Sequence, residues 1–92
     1  MSDNHIFKPR PSIIFREEPD GGFVFDPDSG DLLALNSLGA YVWKLCDGKH
    51  NKEKIVELVS KHYPDIPVSR IREDAENFFE DLQSQGFLRI ER

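Results

Sequence analysis

A single cysteine, Cys46, stands among 92 residues, which excludes an internal disulfide and any metal site built on a cysteine cluster. Basic side chains are also scarce: 12 Lys and Arg stand against 17 Asp and Glu, a formal net charge of −5. Nucleic acid, polyphosphates and anionic lipid surfaces suit such a chain poorly, and a basic peptide or protein surface suits it better. Long apolar runs are missing. No stretch approaches the ~20 residues of a membrane span, and the opening "MSDNHIFKPRPS" has no apolar core of signal-peptide length, so the cytoplasm is the expected compartment. Phosphate-binding glycine loops, a nucleophile elbow, paired catalytic carboxylates, internal repeats and low-complexity segments are absent as well.

What remains is the composition of an ordinary globular domain, 38% hydrophobic and 32% charged. A chain this size buries only about 60 to 65% of its unfolded surface, so one small core is expected. Residues 1–10 read as a flexible tail and residues 11–92 as a single domain. Within it "SIIFRE" (Ser12 to Glu17) and "GFVFD" (Gly22 to Asp26) are short β-branched and aromatic runs joined by "EPDGG", the pattern of a hairpin. A second turn, "DPDSG", delivers the chain into "DLLALN", and the simplest topology is a three-stranded antiparallel meander with the middle run central. Leu32 to Leu35 then lie on an edge. Nothing inside that run blunts it, whereas the opposite edge follows Pro9 and Pro11 and carries Arg16 and Glu17. The bare edge is receptive to another extended chain.

Three helices follow. The first opens at Asn36 or Ser37 and closes at "DG" (Asp47, Gly48); its body "LGAYVWKLC" is apolar on nearly every side except Lys44, so it is expected at the centre, with Tyr41 and Trp43 in the core. The second runs from a cap at Asn51 to about His62 and ends before Pro64, with Ile55, Leu58, Val59 and His62 at helical spacing. The third spans Ser69 to Gly86, where Ile71, Ala75, Phe78, Phe79 and Leu82 form one apolar stripe. The closing "FLRIE" either adds a short strand or packs on the core. Beside the apolar stripe lies a polar row, Arg70, Asp74, Asn77 and Asp81, which is either the wall of a peptide groove or the waterline of an amphipathic helix. The expected fold class is α+β, a three-stranded antiparallel sheet followed by three helices.

The residues that carry chemistry elsewhere are poorly placed for catalysis here. Cys46 falls near the C-terminal end of the first helix, where the partial negative charge disfavours a thiolate. His5 lies in the expected tail, and His50 and His62 mark opposite ends of the second helix, too far apart to share a metal. The chain is therefore expected not to be an enzyme and to need no cofactor. A winged-helix regulator with its last helix in a DNA groove is the rival class, but from Ser69 to Gln85 only Arg70 and Arg72 oppose Glu73, Asp74, Glu76, Glu80 and Asp81.

Taken in order, "GGFVFDPDSGDLLALNSLGAYVWKLCDG", a helix centred on Ile55 and "IREDAENFFEDLQSQGFL" resemble the PqqD family over about Pro11 to Leu88. The matching residues are the hairpin glycines, Asn36, Gly39, Trp43, Leu45, Asp47 and Gly48, then Asp74, Phe78, Phe79, Leu82 and Gly86. Lys54 departs from the pattern, since relatives often carry the capping-box Glu there, and it weakens a helix start. The resemblance implies a RiPP recognition element, a small winged-helix-like module that captures the leader of a ribosomally made precursor peptide and presents it to a modifying enzyme such as a radical SAM protein. It places the leader as an added strand beside the third strand and against the third helix. The implied peptide-binding residues are Asp31, Leu32, Leu33, Ala34 and Leu35 on the strand, and Arg70, Asp74, Asn77, Phe78 and Asp81 on the helix, with no catalytic or metal-binding residue. Asp74 has two readings, partner of a basic leader residue or holder of nearby backbone. The pathway stays open among pyrroloquinoline quinone synthesis, a lasso peptide and another modified peptide.

Overall fold

In the computed structural model, which describes residues 6–91, the chain forms strands β1 (Ile6–Pro9), β2 (Ile14–Glu18), β3 (Gly21–Phe25) and β4 (Leu32–Asn36). Helices α1 (Ser37–Leu45), α2 (Lys52–His62) and α3 (Val68–Ser84) and strand β5 (Leu88–Glu91) follow. The fold is α+β, with the meander β2-β3-β4 preceding the three helices and a separate two-stranded ribbon pairing β1 with β5.

The turns behave as their residues dictate. Gly21 closes the first hairpin at φ +150°, and a side chain there would collide with the Leu35 carbonyl across the ladder. In the second turn the Asp26 carboxylate accepts from the Asp28 N–H at 2.9 Å and the Asp26 carbonyl accepts from the Gly30 N–H at 2.7 Å. Strict alternation then sorts the meander into two faces. Phe15, Val24 and Leu33 lie in one cross-strand row and turn toward the helices, together with Leu35. Ile14, Phe25 and Leu32 form a row on the other face.

Side-chain caps start the first two helices. The Asn36 carboxamide accepts from the Gly39 N–H at 2.7 Å, and that of Asn51 accepts from the Lys54 N–H at 2.8 Å. The second cap holds despite Lys54 in place of a capping-box Glu. α1 packs Ala40, Val42 and Trp43 into the core, while Tyr41 stays half-buried and stacks on His62 with ring centroids 4.3 Å apart. α1 ends at Leu45 with Cys46 as its C-cap, two residues before Gly48, which takes the left-handed conformation and donates its N–H to the Phe7 carbonyl. α3 opens one residue earlier than Ser69. Pro67, with φ fixed near −57°, occupies the cap position, and its carbonyl accepts from the Arg70 and Ile71 N–H groups, so no hydroxyl cap is used.

The N-terminal segment departs from the expected tail. Met1 to His5 lie outside the described residues, but Ile6–Pro9 form a strand because Phe7 is fully buried and stacks on Phe79 at 4.3 Å. "FLRIE" supplies the partner strand: Ile6 faces Glu91 and Phe7 faces Ile90. Burying each of these phenylalanines contributes about 1.5–3 kcal/mol against the entropy of ordering a four-residue strand.

Candidate functional site

Strand β4 has only one ladder partner. β3 occupies one side, and among the described residues no strand pairs with the other. One bond fixes which backbone groups look outward. The Asp26 N–H donates to the Asp31 carbonyl at 2.9 Å, and this pair is in step with the β3–β4 register, so it is of the hydrogen-bonded kind. Alternation makes Val24 with Leu33 and Gly22 with Leu35 the next bonded pairs. The N–H and C=O groups of Leu32 and Ala34, and the N–H of Asn36, are then directed away from β3. Asp31 offers neither of its backbone groups, because its carbonyl is taken by Asp26 and its N–H donates to Ser29 Oγ at 3.2 Å.

The edge leads at Asn36 into a pocket of about 280 Å³ between the start of α1 and the flank of α3. Asn36, Leu38, Gly39 and Val42 line it from the strand end and α1, Val59 from α2, and Ile71, Asp74, Ala75 and Phe78 from α3. Gly39 matters because a Cβ there would press on the Phe78 ring at 3.3 Å, so its absence lets that ring lie close to α1. The walls are apolar apart from Asn36, already committed as a cap, and Asp74, the charged residue among them. The Asp74 carboxylate is about half exposed and lies 3.8 Å from Arg70 Nε, one helical turn earlier, a weak surface pair that a stronger cationic partner can displace.

Of the residues singled out in the sequence, Asp74 and Phe78 come together in the pocket, and Leu32 and Ala34 present the edge beside it. Leu33 and Leu35 turn into the protein, and Arg70, Asn77 and Asp81 are exposed on α3 without lining the pocket. Asn36, Leu38, Gly39, Val42, Val59, Ile71 and Ala75 complete it and were not in the expected set, although Ile71 and Ala75 belong to the apolar stripe read on the third helix. Asn36 and Gly39 left a signal as a helix cap and a glycine inside a first turn; Val42 and Val59 read as generic core. Phe79 and Trp43 are core residues, as expected.

The remaining reactive groups are occupied or shielded. Burial pushes the Cys46 thiol up, with the neighbouring Asp47 charge adding to the effect. Partial burial works to raise the Asp47 carboxyl, but hydrogen bonds from the Lys49 N–H and His50 Nδ1, each at 2.9 Å, hold it below its usual value. Arg72, one of the two basic residues on α3, is bonded to Glu53 of α2. Among the described residues no group of three His, Cys, Asp or Glu side chains stands ready to hold a metal, and no helix is long and apolar enough to cross a membrane.

The family profile described as "Coenzyme PQQ synthesis protein D (PqqD)" matches residues 21–88. No curated protein sequence matches the chain. Among solved structures, TbiB1 in complex with the TbiA(beta) leader peptide is similar at a TM-score of 0.78 and 18% identity, over 88% of this chain and 93% of that one. The lasso peptide synthetase B1 complexed with its leader peptide is similar at 0.79 and 19%, over 91% and 98%. The heterocyclase TruD is similar at 0.66 and 19%, over 95% of this chain and 12% of that one. At these identities the likeness is one of fold.

Proposed function

The chain belongs to the PqqD family, and from that premise we propose that it is a non-catalytic peptide carrier. It captures the leader of a ribosomally synthesised precursor and presents it to a peptide-modifying enzyme, in the cytoplasm. The observation that carries this reading is the bare edge of β4 running directly into the α1–α3 pocket. An extended leader adds a fourth strand, bonding to Leu32 and Ala34 through the main chain, which gives affinity with little dependence on sequence. Side chains on one face of that strand reach the pocket walled by Phe78, Ile71 and Leu38, which gives specificity for an apolar residue. A Lys or Arg of the leader near that residue replaces Arg70 as the partner of Asp74, with Asn77 and Asp81 extending the same flank. Two of the similar structures hold leader peptides and the third is a heterocyclase, which supports both the ligand and the class of partner. Within that class we propose a radical SAM protein.

The test is a titration of isotope-labelled protein with a synthetic peptide carrying the leader sequence of the precursor gene adjoining its own. Amide shifts are expected at Leu32, Ala34 and Asn36 and in α3 from Asp74 to Asp81. Shifts confined to the opposite edge, Ile14 to Glu18, contradict the reading.

A further inference from the structure

The meander has a second exposed feature that the leader pocket does not use. Its outer face carries Ile14, Phe23 and Leu32, which are 54%, 37% and 63% exposed, and with Phe25 and the stem of Arg16 they line an open depression of about 290 Å³. Register places these side chains in adjacent rows, Ile14 beside Phe25 beside Leu32, and Arg16 beside Phe23 beside Ala34. A second hollow, between the first hairpin and Ala34, continues the surface past Phe23. Scattered exposed apolar residues need no explanation, but a contiguous set on one sheet face marks an interaction surface.

Charge narrows the occupant. From Ser12 to Asn36 the only basic residue is Arg16, itself 3.8 Å from Glu18; Glu17 lies on the helix side and pairs with Lys44, while Glu18, Asp20, Asp26, Asp28 and Asp31 stand along the meander and at both its ends. A second copy would bring two acidic fringes together on a chain of net charge −5, and an anionic membrane is disfavoured in the same way. An apolar patch fringed with Lys and Arg is complementary. We propose that this outer face docks the peptide-modifying enzyme, through such a basic-rimmed apolar surface, while the leader occupies the β4 edge. The inference rests on the leader reading and deepens it. A strand added beside Leu32 and Ala34 places alternate side chains in the same outward rows, so the loaded protein offers the enzyme a face one strand wider than the empty one. The enzyme thus touches protein and leader together.

The experiment measures, by calorimetry, the affinity of the Ile14→Ser/Phe23→Ser variant for two probes, the synthetic leader and the purified modifying enzyme encoded in the same gene cluster. Neither residue belongs to the leader edge or its pocket. The expected result is an unchanged melting temperature, leader affinity within twofold of the parent, and at least a tenfold loss of affinity for the enzyme. Asp20→Lys is expected to weaken the enzyme complex several-fold at low salt and much less at high salt. Should the double variant melt early, Ile14→Thr keeps a β-branched strand residue and reads the same affinities. Unchanged enzyme binding overturns the proposal. An equal loss of leader binding also overturns it, by assigning the face to the leader, as does a parent dimer that the substitutions dissolve without affecting the enzyme. A parent that binds the enzyme but no leader sinks the leader reading and leaves the docking measurement to stand alone.

Discussion

The two β-structures of this domain are built from similar strands and left in opposite states. In the β1–β5 ribbon, Phe7 and Leu88 are buried, Phe87 just before the second strand is buried too, and the stacked Phe79 ring of α3 locks the pair in place. In the meander, the core side is equally well packed through Val24 and Leu35, but among the described residues the outer edges of β2 and β4 have no strand partner and the outer face stays open. A hydrogen-bonding ladder is common to both, so ladders do not decide what is closed. Closure follows from which side chains alternate inward. The ribbon spends its apolar residues on the core, and the meander keeps several on the outside, where only another molecule can cover them.

The comparison is sharpened most by attacking the closed half. Phe79→Ala, or Phe7→Ala, removes one member of the stacked pair and is expected to cost about 3–5 kcal/mol, enough to unfold much of a small domain at 37 °C. Thermal melting reads this directly, and a loss below 1 kcal/mol would mean that the ribbon is an accessory. Trp43→Ala belongs to the same class. Next comes the hairpin that holds the meander together: Gly21→Ala forces a Cβ against the Leu35 carbonyl at a positive φ and is expected to cost about 1–3 kcal/mol. Because the collision falls on β4, leader affinity should drop along with stability.

Changes in the open half are expected to spare the fold. Asp74→Ala should leave melting nearly unchanged, since its pair with Arg70 is exposed, yet weaken leader binding several-fold at low salt, with the difference shrinking as salt rises. Asp81→Ala, farther along the flank and outside the pocket, should act in the same direction and more weakly. The smallest effect is in acid. The Asp47 carboxyl titrates lower in the folded protein than in the unfolded chain, so its contribution is present above the ordinary carboxylate value near 4 and fades as pH falls through the lower folded value. Comparing Asp47→Asn with the parent, the stability gap should narrow on acidification, and a gap that widens contradicts the assignment.

Much of this was legible in the residues because absence is as readable as presence. Four uncharged residues in Leu32 to Leu35 mark a bare edge, and Asn36 and Asn51 mark helix starts by the chemistry of their carboxamides. The ribbon was not legible. "IFKP" is too short for an alternation to stand out beside Lys8 and Pro9, and its strand character comes from a stack with Phe79, a residue 72 positions away. The pocket was half legible: α3 shows its stripe, but Val42 and Val59 join it only because α1 and α2 converge there. The outward parity of β4 follows from the phase of the β3–β4 ladder, which the Asp26–Asp31 bond reveals and no pattern in the sequence encodes.

That parity supplies the most direct test of strand addition. Proline lacks an N–H and is tolerated in a sheet where that group faces away from the ladder. Leu32→Pro, Leu33→Pro and Ala34→Pro would each be followed by melting and by titration with the synthetic leader. Ala34→Pro, and Leu32→Pro with it, should remain folded and lose about 1 kcal/mol or more of leader binding, roughly a fivefold weakening, through the missing bond and the bulk of the ring. Leu33→Pro removes a bond to β3 and should damage the fold itself. If Ala34→Pro and Leu32→Pro stay folded and bind the leader as the parent does, the peptide does not use this edge and the central claim is wrong.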